Sequence, residues 1–125
     1  MLGGSAVYFA AAASVLHPVH VVGVVGSDYP LSELDFLAQR GVDLSGVEEA
    51  EGDSFFWAGR YEYDLNTRTT LDTQLGVFAD FQPKIPEAMR DARFVFLGNI
   101  DPSLQIDVLD QVGEPEVVAC DTMNF

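Results

Sequence analysis

Cysteine is almost absent: Cys120 is the single one among 125 residues, so the chain can form no internal disulfide framework and no multi-cysteine zinc site. It ends the apolar run Val117-Val118-Ala119-Cys120, which predicts a buried, inert thiol and fits a reducing cytoplasm. Cations are scarce too. Six of them (Arg40, Arg60, Arg68, Lys84, Arg90, Arg93) face 20 Asp and Glu, for a net charge of -14 and a pI near 4.1. They are scattered and cannot neutralise a run of phosphates, which argues against nucleic acid and anionic membranes as partners. The only histidines, His17 and His20, flank Pro18 and read as loop residues, and no glycine-framed serine is present, so no Ser-His-Asp triad can be assembled. No apolar run approaches the ~20 residues that a membrane span requires. The apolar stretch Ala6 to Val15 has no basic residue before it and reads as a core helix rather than a signal peptide. There are no repeats and no low-complexity linkers.

What is present is enough to fold. Hydrophobic residues make up 48% of the chain, with nine Phe, four Tyr and one Trp, a composition too apolar for a disordered segment. The length suits one ordinary acidic domain, able to bury roughly two-thirds of its unfolded surface.

Along the chain, the Ala-rich Ser5 to Leu16 predicts a helix buried on most of its surface and ended by Pro18, with Gly3 and Gly4 at its N-terminus. Val19 to Val25 predicts a strand covered on both faces, closed by a Gly26-Ser27-Asp28 turn. Leu31 to Arg40 predicts an amphipathic helix stopped by Gly41. The acidic patch Glu48, Glu49, Glu51, Asp53 reads as a solvated loop. Ser54 to Asp64 and Arg68 to Thr73, joined at Leu65-Asn66-Thr67, predict a hairpin with a wet face. Gln74 to Phe81 then leads back toward the core. A short helix within Pro86 to Asp91 and a buried strand at Phe94 to Leu97 come next. A helix from Ser103 to Val112 follows, with Asp101 as its N-cap and Pro102 at its first position, and Glu116 to Cys120 is a third buried strand. Buried strands alternating with helices predict an α/β fold with a parallel sheet, interrupted by the antiparallel hairpin. No strand precedes the first helix and no helix covers the last strand, so the sequence is expected to be a piece of a longer protein.

Few residues stand out as carriers of chemistry. Gly3-Gly4 before a helix can be a simple turn, or a place where a ligand approaches the backbone and meets unpaired N-H groups. Gly23-x-x-Gly26 followed by Asp28 lacks the spacing of a dinucleotide fingerprint, because Val24 and Val25 continue the strand. With 20 carboxylates, pairs are expected by chance and indicate no metal site.

The order of parts is more telling. Gly3-Gly4-Ser5-Ala6 at an Ala-rich helix, Val22-Gly23-Val24-Val25-Gly26-Ser27-Asp28, Gly41-Val42-Asp43 after the next helix, an aromatic hairpin, FVFLGN and VVACDTMN follow in sequence. Together they resemble the N-terminal half of the PfkB or ribokinase-like carbohydrate and nucleoside kinases, over almost the whole chain. The resemblance implies part of a ribokinase-like three-layer αβα sheet with a β-hairpin lid: residues 1–53 and 74–125 as the core portion and 54–73 as the lid. It implies an ATP-dependent, Mg-assisted phosphoryl transfer to a hydroxyl of a sugar or nucleoside-like substrate by the whole protein. Gly3 and Gly4 would contact substrate hydroxyls through the backbone. Tyr8 stands where the family usually has Asn. Phe56, Trp57, Arg60, Tyr61 and Asn66 would line the pocket from the lid or pack against a second lid in a homodimer, and Asn99 lies at a strand end where ligands of open α/β sheets bind. Leu31 replaces the last Gly of the family's G-x-D-x-x-G. Neither the family's first strand nor its D-T-x-G-A-G-D signature, which carries the base and the phosphate site, is among these residues, so the chain alone is expected to be inactive and to bind neither ATP nor Mg. The rival expectation is a non-catalytic α/β binding or interaction module that dimerises through the aromatic hairpin.

Overall fold

A computed structural model describes residues 3–122; Met123 and Asn124, the end of the VVACDTMN segment, and Phe125 lie outside them. The elements are α1 (Ser5–Ala13), β1 (His20–Gly26), α2 (Asp35–Ala38), β2 (Asp43–Ala50), β3 (Phe56–Tyr61), β4 (Arg68–Gln74), β5 (Phe94–Leu97), α3 (Pro102–Gln111) and β6 (Val117–Cys120). The strands form three two-stranded sheets, β1-β2, β3-β4 and β5-β6, where the apolar pattern predicted one parallel sheet. The described chain is thus a mixed helix-and-strand structure with small sheets. It divides into two compact units, residues 3–23, 31–47 and 82–122 in one and 24–30 and 48–81 in the other.

In the first unit, α1 stops three residues short of the predicted Leu16. Ser14 Oγ donates to the Ala11 carbonyl at 3.2 Å, and His17 precedes a proline, which disfavours helical backbone there. The helix was expected to be buried on most sides, yet Ala10 is its only buried residue and Tyr8 is 65% exposed. The ring of Phe9 stacks on Phe96 of β5 with centroids 4.0 Å apart, which fixes the one face of α1 that packs. Leu31 to Arg40 does not form one helix: a 3-10 turn, Leu31–Leu34, leads into the single turn of α2, and Gly41 closes it at φ 79°. This brings Leu34, Leu37 and Val42 into the core with Ala10, Ile85, Met89 and Leu97. Gly46 of β2 approaches the Val21 carbonyl so closely that a Cβ there would lie 2.7 Å from it.

β5 and β6 pair in parallel, Phe94 opposite Val117 through Leu97 opposite Cys120, joined by α3 as a β-α-β crossover. Asp101 caps α3 as its sequence predicts, accepting from the Ser103 N-H at 2.8 Å, with Pro102 in the first turn. Gln111 ties α3 down: its Oε1 accepts from the Ile85 N-H at 3.0 Å and its Nε2 donates to the Pro83 carbonyl at 2.9 Å. Both strands were predicted to be buried, but Leu97 alone is. Phe94 is half exposed and every residue of β6 is exposed, Cys120 included. The reading of Cys120 as a buried thiol is therefore corrected. β-branched runs show which faces favour burial, and a sheet of only two strands leaves such faces open.

In the second unit, β3 and β4 form the predicted antiparallel hairpin, Phe56 opposite Gln74 and Tyr61 opposite Arg68, with an irregularity between Ala58 and Gly59. Its first strand is shorter than the predicted 54–64. Asp64 ends the ladder by accepting from the backbone N-H of Asn66 and Thr67, both at 3.1 Å. After β4 a 3-10 turn, Gly76–Asp80, stacks Phe78 on the buried Phe81 and sets it edge-on to Phe55. The acidic patch is exposed as expected but is not wholly a loop, because Glu48 and Glu49 lie on β2 and only Glu51 and Asp53 lie beyond it.

Candidate functional site

The site begins with backbone geometry. Gly4 is the N-cap of α1 at φ 94°, a conformation that L side chains rarely adopt, and its carbonyl accepts the first helical bond, from the Tyr8 N-H at 3.2 Å. The N-H groups of Ser5, Ala6 and Val7 therefore have no partner within the helix. Among the described residues, a Cβ on Gly3 or Gly4 would meet nothing within 4 Å.

The FVFL strand delivers the rest. Beyond Leu97 the chain passes Gly98, whose Cα sits so close to α1 that a Cβ would lie 3.0 Å from Ser5 Oγ, and the Asn99 N-H then donates to that oxygen at 2.9 Å. Gln105 of α3 fixes the same segment by donating from Nε2 to the Gly98 carbonyl at 2.8 Å. Asn99 Oδ1 is buried and has no hydrogen-bond partner among the described residues. A buried amide oxygen without a donor is uncommon in a folded chain.

The result is a junction in which Ser5 ties the segment after β5 to the N-terminus of α1, whose first N-H groups have no helical partner. No lysine or arginine belongs to residues 3–9 or 96–105, which form it. Asp101 nearby is held below the ordinary carboxylate value by the Ser103 hydroxyl and backbone N-H, so it is ionised at neutral pH. Among the described residues, no three His, Cys, Asp or Glu side chains gather as a metal site.

The structure thus brings Asn99 to Ser5, the residue after Gly3-Gly4, with Tyr8 one turn further along α1. Trp57, Arg60 and Asn66 belong to the hairpin unit. The Trp57 indole lies over Gly59, where any Cβ would collide with it, and its Nε1 donates to Thr70 Oγ1 at 3.3 Å. The Arg68 guanidinium sits 5.4 Å from the indole centre and the Tyr61 ring meets it edge-on. Arg60 faces Glu62 at 3.4 Å in the open, and Asn66 sits at the exposed tip. Ser5, Gly98 and Gln105 were not singled out by sequence as partners of Asn99, since their roles depend on a contact between residues 94 positions apart. The two histidines, read from sequence as loop residues, make only local or exposed contacts: His17 Nδ1 lies 2.9 Å from the Pro18 carbonyl, and His20 pairs with Asp43 at 3.0 Å in the open.

No protein-family model matches the chain, and no curated protein matches it. No helix among the described residues is long and apolar enough to cross a membrane.

Proposed function

We propose that the chain is the substrate-binding and lid portion of an ATP-dependent kinase of the PfkB or ribokinase-like type, acting on a hydroxyl of a sugar or nucleoside-like compound in the cytoplasm. The observation that carries this reading is the bond from the Asn99 N-H to Ser5 Oγ at 2.9 Å, which joins the segment after the FVFL strand to the helix that Gly3-Gly4 opens. In this reading Ser5 holds Asn99 in place, the α1 N-H groups and Asn99 orient the ligand hydroxyls, and the β3-β4 hairpin, with Trp57, Arg60 and Asn66, excludes water. The residues present do not fit ATP or Mg: no glycine run like the family's phosphate signature occurs in the sequence, and no carboxylate cluster is gathered among the described residues. In this reading the chain alone turns nothing over.

Calorimetric titration with neutral sugars and nucleosides tests the reading. Saturable binding of one of them is expected, lost in Gly3→Val, whose Cβ meets nothing within 4 Å among the described residues. Absence of binding across the panel, or turnover of Mg-ATP by the chain alone, contradicts it.

A second reading is a non-catalytic module that pairs through the hairpins of two copies, and the exposure of Phe56, Tyr61, Tyr63 and Leu71 favours it. A dimer in sedimentation that falls apart in Tyr61→Glu, together with no sugar binding, would support this reading over the kinase.

A further inference from the structure

The hairpin is fastened at its root in a way that neither its strands nor its turn require. Ser54, two residues before β3, receives the Gly26 N-H on its Oγ at 2.8 Å. Its own N-H and hydroxyl both donate to Asp28 Oδ1, at 2.7 and 2.8 Å. Beside it the Ser27 N-H donates to the Gly52 carbonyl at 2.9 Å, and the Val77 N-H donates to the Asp53 carbonyl at 2.9 Å. Residues 52–54 are thus clasped from both sides. Glycine is required on both, since a Cβ on Gly26 would collide with the backbone of 52–54 and one on Gly76 with the Asp53 carbonyl. The two ends of the hairpin are glycines of positive φ, Gly52 at 131° and Gly76 at 53°, where the backbone leaves the extended conformation. Beyond the root, residues 61–76 are exposed throughout.

We propose that Asp28 is the catch of a hinged hairpin: a positioning residue that acts through Ser54 to fix the root, with Gly52 and Gly76 as the swivels. Without the catch, the hairpin moves as one body and β3 stays paired with β4. This goes beyond the kinase reading and holds whatever the hairpin covers; if it is a lid, the catch sets its resting position.

Hydrogen exchange at single-amide resolution on the whole chain tests it. The reporters are Ser27 and Val77, whose carbonyl partners the variants leave intact. In Asp28→Ala and in Ser54→Ala both amides should exchange about tenfold faster. The ladder amides within β3 and β4 should stay within about twofold of the parent chain, and Ser54→Thr, which keeps the hydroxyl, should restore the reporters. Unchanged exchange at Ser27 and Val77 would overturn the proposal, and so would a matching acceleration of the ladder amides, because the hairpin would then be unfolding rather than swinging. If Asp28→Ala does not fold, Ser54→Ala measured against Ser54→Thr decides between these results.

Discussion

Replacing Ser5 by alanine removes one oxygen and tests how the candidate site is held together. That oxygen is the acceptor for the part-buried Asn99 N-H at 2.9 Å, and the Gln105 side chain holds the adjacent Gly98 carbonyl at 2.8 Å. The donor left behind costs roughly 1–3 kcal/mol when buried, and the lower part of that range, about 1–1.5 kcal/mol, applies to a partly buried group. For a chain of 125 residues, each kcal/mol moves the melting temperature by roughly 4 °C, so Ser5→Ala should melt about 4–6 °C lower. Circular dichroism gives the melting temperature, and hydrogen exchange at the Asn99 amide, which should lose its protection, ties the change to this bond. Ser5→Thr keeps the hydroxyl and should recover most of the protection. A melting temperature within about 1 °C of the parent, with the Asn99 amide equally protected, would refute the view that Ser5 anchors Asn99.

Other consequences follow from packing and charge. Leu37 is fully buried, at 0% exposure, so Leu37→Ala should lower the unfolding free energy by about 2–5 kcal/mol in urea titration; a loss under about 1 kcal/mol would show that its pocket collapses freely. Gly26→Ala drives a methyl group into backbone atoms of 52–54 and should cost about 1–3 kcal/mol or more, whereas Gly23→Ala, with nothing within 4 Å, should cost far less; equal effects would contradict the clasp. The carboxyls of Asp28, Asp43, Asp64 and Asp101 are held below their ordinary value of 3.8 by bonds from Ser54, Ser45, Thr67 with Asn66, and Ser103. The folded chain therefore takes up protons less readily than the unfolded one in that range, so this contribution is present above about pH 4 and is lost as the pH falls below it. Easing of the -14 charge acts in the opposite sense on the way down from neutrality, so the melting temperature should peak at about pH 5 and then fall; a steady rise down to pH 3 would refute this balance.

Much of the local structure was legible because it rests on short-range chemistry. Asp101-Pro102 marks the start of α3, Gly41 ends α2, and two Thr- and aromatic-rich runs about a short polar turn make the β3-β4 hairpin. Burial was less legible. Val117, Val118 and Cys120 have the composition of a covered strand, and composition records a preference for burial without supplying the neighbours that would satisfy it. The same holds for the exposed side of α1. Within the site, Gly3-Gly4 and Asn99 could be named from sequence, one from its position before a helix and the other from its position after a strand. Their meeting through Ser5, and the clasp of Ser54 by Asp28, are long-range contacts that no periodicity encodes.

In the proposed kinase reading, the turn at Gly3-Gly4 and the side chain of Asn99 bind one neutral hydroxylated compound. Chemical-shift mapping of the labelled chain, titrated with neutral sugars and nucleosides, tests it most directly. Saturable shifts are expected, confined at first to the backbone amides of Ser5, Ala6 and Val7 and to the side-chain amide of Asn99. No shift at these groups up to millimolar ligand, or shifts that map elsewhere and leave Asn99 unmoved, would contradict it.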